Sequence, residues 1–279
     1  MHDPALWRVA TFNIWNRQGP WDRRLPLIRD GLAALDADVI GLQEVLAFGQ
    51  VPTQATQADE IAAGLGWHVY HAPAWQIGGG LTFGNAILSP HRLFDTQCLA
   101  LPTPPGLDTR AVVFARVDAP HGPIPVFVTH LTVQFHLCHV RRDQVVALTD
   151  HVARLAPIGD PPPVVMGDFN AAPDSDEIRF LRGLTSIDGR SVYFADCWAV
   201  AADGPGYTYD RRNPYALRSH EPSGRIDYVF VRGPDAYLRG EPVAARLALD
   251  QPAGGVWPSD HFAVVADIHA AARGLGDAG

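Results

Sequence analysis

The sequence predicts an α/β protein, and three observations support this class. The composition is that of a globular chain, since 47% of the 279 residues are hydrophobic and the mean hydropathy is close to zero. Residues 7–14 and 38–43 form apolar runs of strand length. Between them, the stretch 22–35 has apolar residues at helical spacing, namely Leu25, Ile28, Leu32 and Leu35. The chain therefore opens with a strand, a helix and a second strand, as α/β proteins do.

The remaining elements follow from the same two periodicities. Helical spacing predicts helices at 57–65 and 177–184 and a longer one from Val140 to Leu155, which Pro161-Pro162-Pro163 separates from the next strand. The stretch 203–224, rich in Gly, Pro, Tyr and Arg, is predicted to be a long loop. Runs of β-branched and aromatic residues predict strands at 67–72, 80–89, 92–100, 109–118, 124–130, 164–168, 226–231, 241–248 and 261–268. We expect residues 1–270 to form one domain and 271–279 to be a flexible tail.

The charge balance bears on the class of substrate. A net charge of −8 argues against a protein whose main surface grips a polyanion, because nucleic-acid binders commonly carry a basic stripe. It leaves a nuclease open, since metal ions in an acidic site supply positive charge that a side-chain count misses. Arginine occurs in adjacent pairs at three places, and we expect these pairs to lie on solvent-exposed faces of the protein: Arg23-Arg24, Arg141-Arg142 and Arg211-Arg212.

Other features bound the location and the redox chemistry. Cys98, Cys138 and Cys197 are odd in number and widely spaced, which favours reduced, mostly buried thiols over a disulfide framework or a thiolate zinc site. No window approaches the roughly 18 uninterrupted apolar residues of a membrane span. The first residues contain no basic segment followed by an apolar signal core, so we expect a cytoplasmic protein.

The most informative segment is Gly167-Asp168-Phe169-Asn170, which follows the apolar run Val164-Val165-Met166. Alternation along a strand points Asp168 and Asn170 the same way at the end of a buried strand. There, Asp168 is suited to orient or deprotonate water, and Asn170 to donate to a phosphoryl oxygen. Taken alone, the segment also fits an ordinary turn with a self-bonding Asn.

Strong polar residues recur at the ends of other predicted strands. Each has a structural interpretation when judged singly: a turn residue, a buried hydrogen-bonded histidine or the partner of an arginine. Together they indicate a site, because polar groups at strand ends converge on the crevice where α/β proteins usually bind ligands. The residues are Asn13, Glu44, His130, Asp227, Asp260 and His261.

These residue types fit phosphate chemistry with a hard metal ion. Glu44, with Asp260 and Asn13, offers oxygen donors of the kind that Mg²⁺ or Mn²⁺ prefers. His130, His261 and Asn170 are donors for a charged phosphoryl group, and Asp227 is suited to hold an imidazole in one tautomer. A second, transition-metal site formed by His130, His136 and His139 is a further alternative, although ordinary helix packing also explains these histidines.

The motifs resemble those of the endonuclease/exonuclease/phosphatase superfamily, which has the DNase I-like fold. The resemblance spans roughly residues 7–268 and runs, in the family's order, through TFNIW, LQE, GNAILS, THL, GDFN, RIDYVF and SDH. It implies a four-layer α/β sandwich, in which two mixed sheets pack face to face with helices outside. It also implies hydrolysis of phosphate esters with a divalent metal, Mg²⁺ or in its place Mn²⁺.

The resemblance implies a role for each matching residue. Glu44 would be the principal metal ligand, with Asn13 and Asp260 beside it, and Asp168 would orient or activate the attacking water. Asn170 and His130 resemble phosphate-binding residues, and His261, paired with Asp227, resembles the histidine that stabilises the transition state or assists the leaving group. Whether Asp168 or His261 takes the proton of the water stays open. The positions matched to substrate binding are Asn85, Arg110, Tyr209 and Arg225.

The substrate is less constrained than the reaction. The loop from Tyr207 to Arg225 resembles that of the sphingomyelinase-like and sugar-phosphatase-like branches, and its aromatic and guanidinium groups suit a small phosphoester or a lipid headgroup. A nuclease remains the main alternative. A binding module without catalysis is a remote one, because Glu44, Asp168 and His261 are all present. Nothing in the sequence points to a protein partner.

Overall fold

A computed structural model describes residues 3–48, 56–219 and 221–271 of the chain. In these residues the helices are α1 (Trp21–Ala34), α2 (Gln57–Ala62), α3 (Cys138–Leu155), α4 (Asp176–Leu181) and α5 (Cys197–Ala201). Short 3₁₀ turns lie at Phe135–Leu137 and Ala216–Ser219. The strands are β1 (Leu6–Asn13), β2 (Val39–Phe48), β3 (His68–Gly78), β4 (Leu81–Ser89), β5 (Leu93–Leu101), β6 (Arg110–Val117), β7 (Ile124–His130), β8 (Val164–Asp168), β9 (Ala195–Asp196), β10 (Asp227–Val231), β11 (Pro242–Ala248) and β12 (Ala263–His269).

The strands form two mixed sheets of six strands each. The first sheet has the order β11-β12-β1-β2-β4-β3, and the second has the order β5-β6-β7-β8-β10-β9. One parallel pair lies inside each sheet, β1 with β2 and β7 with β8, and the other neighbours are antiparallel. Asn13, His130 and Asp168 are the last residues of strands in these parallel pairs.

The two sheets pack face to face, with helices on their outer faces. Alternation along β1 divides its side chains: Trp7 and Val9 join the core between the sheets, whereas Phe12 packs among residues of α1 and α2. A third apolar cluster joins α3 and α4 to the outer face of the second sheet. This arrangement confirms the predicted four-layer α/β sandwich.

The structure departs from the predicted elements where the backbone is irregular or an element is short. β2 runs to Phe48 instead of ending near residue 43, because a bulge between Leu42 and Val45 interrupts its alternation. β3 continues to Gly78 through a similar shift in register. β9 and α5 were not predicted, because elements of two and five residues carry too little periodicity.

Gly167 allows the two parallel strands of the second sheet to approach closely. Its φ is +146°, and a Cβ at this position would lie 1.9 Å from the carbonyl oxygen of Thr129 on β7. Only glycine fits such a contact without moving a strand. The glycine therefore fixes the position of the residue that follows it, Asp168, beside the end of β7.

Two sequence predictions concern membranes and the tail. No helix within the described residues has the length and apolar character needed to cross a membrane. Of the predicted tail, residues 272–279 lie outside the described part of the chain.

The cysteines differ from the prediction in their exposure. All three are free thiols. Only Cys197 is buried, whereas Cys98 and Cys138 are exposed, so the prediction that most of them are buried is wrong.

Candidate active site

Strand register places three of the predicted residues side by side on the second sheet. His130 at the end of β7 is the parallel partner of Asp168 on β8, and Asp168 is the antiparallel partner of Asp227 on β10. Asp168 lies two residues from Met166, and Asp227 two residues from Val229, both of the core between the sheets, so their side chains lie on the inner face. All three residues are buried.

His261 completes this group from the segment that precedes β12. Its Nδ1 lies 2.9 Å from Oδ2 of Asp227, and its Nε2 lies 3.8 Å from Oδ2 of Asp168. Burial acts to lower the pKa of His261, but Asp227 and Asp260 outweigh it and raise the pKa well above its usual value. The predicted pairing of His261 with Asp227 is present, and it favours the protonated imidazole.

Asp168 lies at the centre of the site and is held on both of its oxygens. Nδ2 of Asn13 donates to Oδ2 over 2.9 Å, and the backbone N–H of Asn170 donates to Oδ1 over the same distance. Nε2 of His130 lies 3.5 Å from Oδ2. Burial raises the pKa of Asp168 to about 7, with Asp227 adding to the shift and His261 opposing it.

The two histidines have opposite electrostatic environments. Burial, the Arg110 guanidinium and His261 all lower the pKa of His130, which keeps this imidazole neutral. Its Nδ1 is buried without a hydrogen-bond partner. A neutral and a protonated imidazole on either side of one carboxylate provide separate donors and acceptors for a reaction.

Asn170 also adopts a special conformation at the end of the GDFN segment. Its φ is +49°, in the left-handed region that Asn tolerates better than most residues, and its backbone N–H closes a turn on Asp168. Its Nδ2 donates to the carbonyl oxygen of Leu131 over 3.1 Å, which leaves a second N–H on the same nitrogen. Asn170 therefore forms the turn, and its role in binding a phosphoryl oxygen stays a prediction.

Glu44 lies at the bulge of β2, not at a strand end as the sequence suggested. Two residues, Gln43 and Glu44, lie in the register shift between the pairs that β2 makes with β4, and Glu44 has a left-handed φ of +61°. Its Oε1 lies 3.3 Å from Nδ2 of Asn13, and its Oε2 accepts a hydrogen bond of 2.8 Å from Nδ2 of Asn16. Asn16 is a site neighbour that the sequence analysis missed, although it lies in the same TFNIWN segment as Asn13.

Asp260 lies beside Glu44 at the same side of the site. Oγ of Ser259 lies 3.2 Å from Oδ1 of Asp260 and 2.7 Å from the carbonyl oxygen of Asn13, which connects the two segments. Burial raises the pKa of Asp260 to about 7, with His261 opposing the shift and Glu44 adding to it. Neighbouring carboxylates suit a hard divalent cation, which would relieve their repulsion. Glu44 and Asp260 are therefore chemically suited to such an ion, whereas Oδ1 of Asn13 accepts a hydrogen bond from the backbone N–H of Trp15.

Asp168, Asp227 and His261 form the cluster within the described residues whose ligand atoms, all within 4.8 Å, are close enough for a metal ion. Within this cluster Nδ1 of His261 and Oδ2 of Asp227 are bonded to each other, whereas Oδ1 of Asp227 is buried without a hydrogen-bond partner. The alternative histidine site does not form, since His136 and His139 are exposed and lie outside this cluster while His130 is buried.

Arg24 organises the loops around the acidic side and was also missed. It is fully buried, and its guanidinium donates to the carbonyl oxygens of Ile14, Asn16, Gln18 and Pro258. Burial lowers its pKa to about 10, while Asp260 raises it. Helical spacing could have predicted its burial, because Arg24 lies on the face that α1 buries, together with Trp21, Ile28 and Leu32. Its predicted position on a solvated face is wrong, as is that of Arg141, which is also buried.

Arg110 and Asn85 lie near the site but differ in their surroundings. Arg110 is buried, its charge is close enough to lower the pKa of His130, and its Nε has no partner. Burial lowers the pKa of Arg110, whereas Asp108 and Glu44 oppose that shift. Asn85 donates from Nδ2 to the carbonyl oxygen of Ala111 over 3.2 Å, which links the two sheets, and its buried Oδ1 is unpartnered.

Two residues matched to substrate binding have other partners. Both hydrogen bonds of Arg225 Nη1 go to the carboxylate of Asp196, at 2.8 and 2.9 Å, and its guanidinium stacks on Tyr228. The hydroxyl of Tyr209 donates to the carbonyl oxygen of Ala216, and its ring packs edge-on against His261 at 5.1 Å. Nη1 of Arg225 and the hydroxyl of Tyr209 are thus engaged inside the protein, and a contact of either residue with a substrate stays a prediction.

Comparison with known proteins identifies relatives of this arrangement. A sequence model described as the endonuclease/exonuclease/phosphatase family matches residues 10–261. No curated protein sequence gives a significant match.

Solved structures with the same fold cover nearly the whole chain. An endonuclease/exonuclease/phosphatase from Beutenbergia cavernae DSM 12333 is 23% identical, with a TM-score of 0.71 over 97% of this chain and 72% of that one. The human Nocturnin catalytic domain, with a bound sulfate anion, is 20% identical, with a TM-score of 0.71 over 95% and 93% of the two chains. Truncated TDP2 from Caenorhabditis elegans is 19% identical, with a TM-score of 0.71 over 95% and 98%.

Proposed function

Because the chain belongs to the endonuclease/exonuclease/phosphatase family, whose named activities all cleave phosphate esters, we propose a divalent-metal-dependent phosphoesterase acting on a small or lipid-like phosphate ester. Mg²⁺ is the expected ion, with Mn²⁺ as a substitute. The cytoplasmic location suggested by the sequence stays a prediction.

One observation carries this proposal. A single buried oxygen, Oδ2 of Asp168, lies 2.9 Å from an amide nitrogen of Asn13 and within 4 Å of the Nε2 atoms of two histidines, at 3.5 and 3.8 Å. Hydrogen bonds from Asn13 and Asn170 already hold this carboxylate in place, so a purely structural network does not need two imidazoles in opposite protonation states beside it. A reaction that moves protons to and from a phosphate does need such a pair.

The proposed roles follow from charge and position. Asp168 accepts a proton from the attacking water, since the raised pKa makes this carboxylate a better base than an exposed aspartate. His261, protonated through its pairing with Asp227, carries a proton suited to the leaving oxygen. One P–O bond forms to the water oxygen as the bond to the leaving oxygen breaks, and one proton moves at each side.

Other residues bind and orient the phosphoryl group. His130 and the free N–H of Asn170 are donors for its non-bridging oxygens, and the buried charge of Arg110 lies nearby. Glu44, Asn13 and Asp260 would hold the metal ion, which when bound supplies positive charge to the phosphoryl oxygens. The sulfate in the human Nocturnin domain is an anion similar to phosphate in charge and shape, which agrees with anion binding on this fold.

The test compares hydrolysis of a generic phosphodiester and a generic phosphomonoester with Mg²⁺, using His261→Ala as the blank. We expect Mg²⁺-dependent hydrolysis of at least one ester at a rate above that of the blank. Faster cleavage of the diester would assign a diesterase, and faster cleavage of the monoester would assign a phosphatase. The proposal fails if the wild-type protein hydrolyses neither ester faster than the blank does.

A nuclease is the second candidate, and the family name includes it. The net charge of −8 disfavours it, because binding to a polyanion gains from a basic surface. Cleavage of plasmid or abasic DNA that falls steeply with salt would favour the nuclease. Activity on a small ester that is nearly insensitive to salt supports the small substrate.

A further inference from the structure

A cavity of about 420 Å³ opens beside the candidate site. Asn170 and Tyr209 are among its lining residues, and the ring of Tyr209 lies against His261 with 5.1 Å between the ring centroids. The cavity therefore adjoins the place where a phosphoryl group would lie if the proposed function holds.

The wall of the cavity is largely apolar. Ala171, Ala172, Pro222 and Ile226 line it, and Phe135 lies at its rim with 58% of its surface exposed. An exposed phenylalanine beside a cavity is available to pack on a ligand at little cost in side-chain freedom.

The basic residue in the wall, Arg141, has four of its five N–H donors engaged within the protein. Nε of Arg141 donates to Glu177 over 2.6 Å, and its Nη1 and Nη2 donate to the backbone carbonyl oxygens of Thr132, Gln134 and Phe135. Arg141 is buried and thus holds the segment that carries Phe135 in place.

Glu221 is the acidic residue among the described residues that line the cavity. Burial raises the pKa of Glu221, and His261 opposes that shift. A carboxylate at this place repels a second anionic group on a substrate, because like charges in a partly buried site are poorly screened.

We propose that this cavity binds the organic group of the phosphate ester, and that this group is apolar and carries no second negative charge. The inference rests on the proposed function for the position of the phosphate. It narrows the substrate class to esters in which an apolar alcohol is joined to one phosphate. Bisphosphates and polynucleotides, which place another anion near the reacting phosphate, are disfavoured.

Binding of phosphonates tests the inference without turnover, because their P–C bond resists hydrolysis. The probes are methylphosphonate, phenylphosphonate and 3-carboxyphenylphosphonate, each measured by calorimetry with Mg²⁺ on the full chain. We expect phenylphosphonate to bind at least about tenfold more tightly than methylphosphonate, a typical gain for filling an apolar pocket. We expect the carboxylated probe to lose that gain.

Two variants and a control locate the effect. Phe135→Ser should abolish most of the preference for phenyl over methyl, and Glu221→Gln should improve binding of the carboxylated probe alone. Phe48→Ser is the matched control, because Phe48 is 56% exposed and does not line the cavity. Circular dichroism checks that each variant is folded.

The outcomes separate this inference from the proposed function. Equal binding of phenyl- and methylphosphonate by the wild-type protein, or a preference that Phe135→Ser leaves intact, overturns the inference. If the preference follows Phe135 but neither generic ester is hydrolysed, the proposed function fails and the cavity assignment stands. If ester hydrolysis is found without the preference, only the cavity assignment fails.

Discussion

The two halves of the candidate site are built by different means. The histidine half, comprising His130, Asp168, Asp227 and His261, lies mainly on the second sheet, where strand register sets three of its four residues side by side. The oxygen half, comprising Asn13, Glu44 and Asp260, belongs to the first sheet. There, irregular backbone sets the side chains: a bulge at Glu44 and the turns around Asn13 and Asp260.

The difference indicates a division of tasks. The histidine half is buried and dense in hydrogen bonds, with pKa values shifted in opposite directions at His130 and His261. The oxygen half holds carboxylates near each other, and Glu44 is only partly buried. A hydrogen bond from Nδ2 of Asn13 to Oδ2 of Asp168 joins them, and Asp260 and His261 are consecutive in the chain. We expect changes in the histidine half to alter turnover and changes in the oxygen half to alter metal affinity first.

The largest effect should come from His261→Ala, which removes the proton donor. We expect kcat to fall by about 10³ or more with the fold retained, since loss of one such donor typically costs about 10²–10³ and the Asp227 charge is then unpaired. His68→Ala is the control, because His68 is exposed and takes no part in this network. A His261 variant that keeps more than a tenth of wild-type kcat would remove His261 from the reaction.

Gly167→Ala should break the histidine half through the backbone. The new Cβ would meet the carbonyl oxygen of Thr129, so we expect more than about 3 kcal/mol of lost stability in urea unfolding. Gly189→Ala is the matched control, since Gly189 also has a positive φ, +74°, but a Cβ added there would have no atom within 4 Å. That control should cost only about 1–2 kcal/mol. Equal losses in both variants would contradict the close strand approach.

Asp227→Asn should move the alkaline limb of the pH–rate profile to lower pH. Asp227 favours the protonated form of His261, so its neutral replacement lowers the pKa of His261 and the proton is lost at lower pH. We also expect kcat at the optimum to fall by about 10². An alkaline limb at the wild-type pH would show that another group controls it.

Arg24→Met should weaken the oxygen half without touching the histidine half. Loss of the carbonyl hydrogen bonds frees the loops that carry Asn16 and Pro258, and metal affinity should fall by about tenfold, as for other outer-shell changes. Arg23→Met is the neighbouring control, because Arg23 makes one exposed bond to Gly254. Equal Mg²⁺ affinity in the two variants, both folded, would mean that Arg24 has no part in the metal site.

The same division explains what the sequence could predict. Regular periodicity predicted an α/β chain, and the resemblance carried by the motifs around Asp168, His130 and Asp227 implied the sandwich. The structure brings the residues of the histidine half together, because period two sets them on the face that each strand buries. The bulge at Glu44 breaks that period, so its strand was ended too early. Arg24 was assigned to solvent by its charge alone, although its place in the apolar stripe of α1 predicts burial.

The internal partners of the loop residues were not predicted, for a different physical reason. Arg225 and Tyr209 were assigned from residue type, but long side chains bind whichever partner the fold places nearest. Arg225 lies against Asp196, a residue on the short strand β9 that carries no detectable pattern, and their buried pairing could not be foreseen. The cavity beside Asn170 likewise brings together 3₁₀, loop and helix residues that are distant in sequence.

The most direct test of this division is a Mg²⁺ titration of Glu44→Gln and His261→Ala, with calorimetry for binding and ester hydrolysis for turnover. We predict that Glu44→Gln weakens Mg²⁺ binding by about tenfold or more and regains part of its activity at high Mg²⁺. His261→Ala should bind Mg²⁺ with nearly wild-type affinity and remain inactive at every concentration. Wild-type Mg²⁺ affinity in the Glu44 variant, or rescue of the His261 variant by Mg²⁺, would contradict the assignment of the two halves.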